Sequence, residues 1–281
     1  MRHQPFFRLA WYAINLLLLA SVVLVIVGIT WEYSTRKYLK GFADAVVPLS
    51  ASPEQKVEAI LSWMRRGPAR RTTADPDSLS LRDPEDTLNY QHLLEVCGSA
   101  TNAFLNLAAS SGLPARRLLL LGPDRRSRHV VAEVRLGDRW VAVDPAYHFV
   151  FRDAQGQLLT RQQLNDPQVL QEATRAVASY PPEYNFKRTA HIRLARAPVV
   201  GSLLQKIMDT VFPGWEEFGG WTVVLERESL AVAVLAVLLF CFALAGRFAL
   251  SWYGEKRLGI NRVRLREQLI RAGATLFSSP R

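Results

Sequence analysis

Cysteine is scarce in this 281-residue chain: there are two, Cys97 and Cys241, and the second lies inside a long apolar run. No disulfide framework can be built within the polar portion. Metal-ligand spacing is also missing. Cys97, His129 and Asp144 could hold zinc in principle, but no paired Cys or second His stands at short spacing. There is no phosphate-binding loop and no internal repeat, and no cofactor is expected. The net charge of +10 comes with no nucleic-acid module. Much of it lies in the C-terminal tail, which reads as a segment facing anionic lipid, so no nucleic-acid partner is expected.

Charge itself is missing from two stretches. Leu9 to Trp31 is uncharged between Arg8 and Glu32, long enough to span a bilayer as a helix. Ser229 to Gly246 is a second such run, and with a snorkelling Arg247 it extends to Tyr253. Trp11, Tyr12, Trp31 and Tyr33 bracket the first run; Trp221, Trp252 and Tyr253 bracket the second. A small-x-small cleavage pattern first occurs at Ala43-Asp44-Ala45, well past the run, so the first span reads as an uncleaved anchor. Basic residues dominate after the second span (Arg247, Lys256, Arg257, Arg262, Arg264, Arg266, Arg271), and its other flank is acidic. Both termini are therefore expected on the cytoplasmic side of a plasma (inner) membrane. The expected organisation is a cytoplasmic N-terminus at 1–8, a span at 9–31, an extracytoplasmic domain at 32–228, a span at 229–250 and a basic tail at 251–281.

Within the central segment, Cys97 opens a run that reads as a buried helix, ending at Ser111-Gly112-Leu113-Pro114. A thiol in the first helical turn feels the positive end of the dipole, which favours thiolate. His129 begins the strand His129–Leu136, and Asp144 ends the strand Arg139–Pro145. Gly137-Asp138 between them is a two-residue hairpin signal. Leu136 then pairs with Arg139, which makes His129 and Asp144 diagonal neighbours on one face. A carboxylate there can orient an imidazole whose other nitrogen takes the Cys97 proton.

Glu95-Val96-Cys97-Gly98, Gly112-Leu113-Pro114-Ala115-Arg116, His129-Val130-Val131-Ala132-Glu133-Val134 and Trp140-Val141-Ala142-Val143-Asp144-Pro145 together resemble the transglutaminase-like superfamily, a papain-like cysteine fold, here of a membrane-anchored bacterial type. The resemblance covers about residues 50–150. It implies an α+β core, with the Cys helix packed on an antiparallel sheet, flanked by two transmembrane helices. It also implies thiol attack on an amide or acyl carbonyl through a thioester, with Cys97 as nucleophile, His129 as base then acid, and Asp144 as orienting group. The oxyanion would be met by the Cys97 N–H, and Gln91 resembles the papain-type glutamine in its placement. Protease, amidase and acyl transfer are not separated by these residues. The implied partners are the bilayer, a peptide, protein or cell-envelope polymer substrate, and membrane proteins. The chain departs from the family at Glu95, where Gly is usual, and at Val131, where an aromatic is common. The competing reading is a non-catalytic membrane-tethered scaffold or binding module of the same fold, for example in envelope or polysaccharide assembly.

Other segments carry smaller expectations. Residues 32–51 read as a juxtamembrane connector, and Ser52-Pro53-Glu54-Gln55 as a capped helix start with Val57, Ile60, Leu61 and Met64 on its buried face. Arg65 to Asp86 reads as a surface loop. Thr160 to Gln163 reads as another cap, and Tyr180 to Tyr184 as either a groove lining or a Pro-rich loop. The apolar spacing from Ser202 to Phe212 suits a helix lying against a membrane.

Overall fold

The computed structural model describes residues 4–67, 70–72, 78–177, 180–192, 201–215 and 226–258. Much of the basic tail, including Arg262, Arg264, Arg266 and Arg271, lies outside them, as does Trp221. The chain divides into one unit of Met1–Ile29 with Val232–Arg281 and a second of Thr30–Ala231.

The first unit contains the N-terminal part of α1 (Gln4–Val46) and most of α8 (Glu228–Leu258). By length and composition both helices can cross a membrane. They approach closely at Gly28, where an added Cβ would stand 3.0 Å from the Cα of Ala233. Small residues allow this kind of packing where no hydrophobic effect drives helices together. Leu16, Leu19, Ile26, Leu235, Leu238 and Phe242 remain exposed on the outside of the pair.

In the second unit, the connector expected over 32–51 is largely helix: α1 runs on to Val46. Leu39, Ala43 and Val47 explain this, since they recur every four residues and are buried in the core. The pair Glu32–Arg36 continues this stripe toward the N-terminus, with the Glu32 carboxylate buried, and the exposed pair Lys40–Asp44 lies to its side. Helix α2 (Pro53–Arg66) starts as expected. The Ser52 N–H donates to Gln55 Oε1 (2.8 Å), the Gln55 N–H donates to Ser52 Oγ (3.3 Å), and Val57, Ile60, Leu61 and Met64 are buried. The loop after it stops short of Asp86, because Asp83 caps a helix α3 (Pro84–Asn89) with Pro in its first turn. Residues 68–69 and 73–77 of that loop lie outside the described residues.

A short α4 (Gln91–Glu95) leads into α5 (Cys97–Ser110). Helix α5 ends in a Schellman motif: the Leu113 N–H donates to Ala108 O (2.9 Å) and the Gly112 N–H to Ala109 O (3.1 Å). Gly112 supplies the positive φ of 76° that this closure needs. Strands β1 (Ala115–Leu121), β2 (Ser127–Leu136), β3 (Arg139–Asp144), β4 (Phe149–Val150) and β5 (Thr189–Ala190) form an antiparallel sheet in the order β4-β3-β2-β1-β5. Leu136 pairs with Arg139 across the two-residue turn, and Gly137 takes φ 62° there.

Side-chain alternation splits the sheet into two cores. Ala132, Val134, Val141 and Val143 face α5, α2 and the end of α1. Val131 and Ala142 face the other way, against Phe151, Leu164, Leu170 and Phe186. The Thr160–Gln163 cap forms, but only a 3-10 turn (Gln163–Asn165) follows it. The helix proper, α6 (Pro167–Thr174), begins later under Asp166, because Pro167 favours a first-turn position. Helix α7 (Gly201–Val211) forms where the apolar spacing predicts one and exposes Ile207 and Val211.

Candidate active site

Three elements converge on one point. The first turn of α5 presents Cys97, the start of β2 presents His129, and the end of β3 presents Asp144. The Thr101 hydroxyl on α5 donates to Val130 O on β2 (3.0 Å), tying the two elements together beside the site. The hairpin parity brings His129 and Asp144 to the same face, and His129 Nε2 donates to Asp144 Oδ2 at 2.7 Å. Both side chains are fully buried, whereas Cys97 is partly exposed.

The other imidazole nitrogen, Nδ1, makes no conventional hydrogen bond, and the Cys97 thiol couples electrostatically to the ring. Burial pushes the thiol up. The His129 side chain and the Val130 N–H together outweigh that, leaving Cys97 below its ordinary value. Burial likewise pulls the imidazole down, but the Asp144 hydrogen bond and the neighbouring thiol lift it to about 9. The two shifts favour the same species, a thiolate beside an imidazolium.

Asp144 is held at both oxygens. Oδ1 accepts the N–H groups of Ala146 (3.1 Å) and Tyr147 (3.2 Å). Oδ2 accepts the Tyr180 hydroxyl (3.0 Å) as well as His129. The Tyr180–Tyr184 stretch, ambiguous in sequence, therefore reaches the site itself, and Tyr184 stacks on His129 with centroids 4.2 Å apart and planes 2° from parallel. The family's aromatic two residues after His is absent at Val131. Tyr147 and Tyr184 put aromatic rings against His129 instead.

Gln91 lies on α4, where its amide is occupied: Nε2 donates to Glu95 (3.3 Å) and Oε1 accepts from Arg70 (3.2 Å). Glu95, standing in place of the usual Gly, is exposed and turned toward Gln91. Arg117 was not singled out by its sequence context. Its guanidinium bridges the Gly98 carbonyl, next to Cys97, and the Glu226 carboxylate. Among the described residues, no group of three or more His, Cys, Asp or Glu side chains is arranged to hold a metal ion.

Residues 40–145 match the family model of the transglutaminase-like superfamily. The chain carries a transglutaminase-like domain. No curated protein and no solved structure matches it. The transglutaminase-like segment includes Cys97, His129 and Asp144 and begins within the last turns of α1. It stops before Tyr180 and Tyr184, which lie outside the matched segment.

Proposed function

We propose that this is a membrane-anchored cysteine enzyme that cleaves or transfers an amide or acyl group through a thioester. The observation that carries this reading is the 2.7 Å His129–Asp144 hydrogen bond beside a thiol whose pKa is lowered at the start of a helix. The Cys97 thiolate attacks the substrate carbonyl. The first-turn N–H of Cys97, which a helix leaves without an intrahelical partner, receives the oxyanion. Imidazolium Nδ1 gives its proton to the leaving amine or alcohol, and a thioester remains. His129 then takes a proton from water or an acceptor amine, which releases the acyl group. A Gln91 contribution to the oxyanion would require its amide to leave Glu95 and Arg70. The two apolar helices anchor the enzyme in a membrane, with residues 32–228 outside the cytoplasm facing peptide, protein or envelope-polymer substrates.

Alkylation of Cys97 by iodoacetamide across pH tests the reading. The rate should inflect on the acid side of the free-thiol value of about 8.5, and His129→Ala should move the inflection upward. A thiol that titrates as a free one, unmoved by His129→Ala, would leave the non-catalytic scaffold in its place.

A further inference from the structure

The ring that lies flat on His129 comes from a segment outside the matched family region, and so does the hydroxyl that meets Asp144. Tyr184 stacks on the imidazole at 4.2 Å, while Tyr180 crosses Tyr184 nearly edge-on at 5.7 Å. Tyr147, from the turn after Asp144, meets His129 at 5.8 Å and Tyr180 at 5.0 Å. Phe151 and Phe186 pack behind Tyr180 and join it to the second core. A surface Pro-rich loop would not need this arrangement: two rings from one short segment each engage a different member of the candidate triad.

We propose that Tyr184 and Tyr180 are positioning residues for the base. Tyr184 clamps the His129 ring and excludes water from its hydrogen bond to Asp144, and Tyr180 fixes and shares the Asp144 oxygen that the imidazole uses. This inference rests on the cysteine-enzyme reading for its purpose, since it concerns how the base is held ready. The ionisable groups that face the ring are Asp144 from β3, Cys97 from α5, Tyr147 from the following turn, and Tyr180 and Tyr184 themselves.

The two tyrosines act in opposite directions. A flat aromatic face favours the cationic imidazolium, and shielding strengthens its attraction to Asp144. Removing the Tyr184 ring should therefore return His129 toward its solvent value. Tyr180 instead draws part of the Asp144 negative charge into its own hydrogen bond, so its removal leaves the carboxylate a stronger partner for His129.

Titration of His129 by NMR of histidine-labelled full-length protein in detergent micelles tests this, with the signal assigned by its loss in His129→Gln. Tyr184→Phe should leave the His129 pKa in place. Tyr184→Leu, which keeps an apolar cover but no ring face, should lower it by about one unit. Tyr180→Phe should raise it. An unmoved His129 in Tyr184→Leu, or an equal fall in Tyr184→Phe, overturns the clamp. Should Tyr184→Leu fail to fold, Tyr180→Phe, which lacks a single oxygen, decides alone, and the absence of an upward shift refutes the proposal. The readout needs no turnover: if the expected shifts occur while Cys97 alkylates as a free thiol, the clamp stands and the enzyme reading falls.

Discussion

Asp144 accepts four hydrogen bonds, two at each carboxylate oxygen, and only one of them comes from His129. The backbone donors at Oδ1 fix the carboxylate plane, leaving Oδ2 aimed at the ring. An Asn at this position keeps the shape but loses the charge that stabilises imidazolium. In Asp144→Asn the Cys97 alkylation inflection should move up toward the ordinary thiol value of about 8.5 with the circular dichroism spectrum unchanged. The wild-type pH profile of any acyl-transfer activity has a defined sign. It should rise as pH climbs through the lowered Cys97 value and fall as pH passes about 9, where His129 gives up the proton that the leaving group needs. At this scale the meeting of His129 and Asp144 was legible in the sequence because strand side chains alternate with a period of two, so one turn length decides which residues share a face. The tyrosines were not, because Tyr180 lies 36 positions beyond Asp144. A segment with two adjacent prolines carries no periodicity to say where its rings land.

The helices show a similar mixture of legible and hidden features. The capping box at Ser52, the Gly112 stop and the paired strands were all encoded locally, in residues a few positions apart. The extension of α1 to Val46 was obscured by Glu32, Arg36, Lys37 and Lys40, which mark the end of an apolar run without ending the helix. The four-residue spacing of Leu39, Ala43 and Val47 was the signal for its continuation. It places this part of α1 in the domain core rather than in a linker. Leu39 is 0% exposed. Leu39→Ala should consequently destabilise the domain by about 2–5 kcal/mol, measured as denaturant unfolding followed by tryptophan fluorescence. A change within a few tenths of a kcal/mol would return residues 32–46 to the role of connector.

For the whole molecule, the orientation proposed from flanking charge can be tested at a site that disturbs no contact. Ser80 is unsuitable, because its hydroxyl donates to Glu228 (2.5 Å). Ala154 is exposed in the turn after β4. An Ala154→Cys variant lacking the two native thiols should label with an impermeant maleimide in intact cells, and labelling only after lysis would invert the topology. The polar unit also depends on residues that a hydropathy profile would assign to the edges of its two helices. Arg117 makes a two-pronged ion pair with Glu226, whose backbone carbonyl accepts the Asn102 amide on the Cys97 helix (2.6 Å). Arg227 pairs with Glu32 (3.1 Å), and the Ser229 hydroxyl donates to the same carboxylate (2.8 Å). A version trimmed to residues 48–225 would keep Cys97, His129 and Asp144 yet strip Arg117 and Asn102 of their Glu226 partner and remove Leu39 and Ala43 from the core. The compact unit that holds all of these partners runs from Thr30 to Ala231, so the surgical boundaries of this domain lie inside its first and last helices.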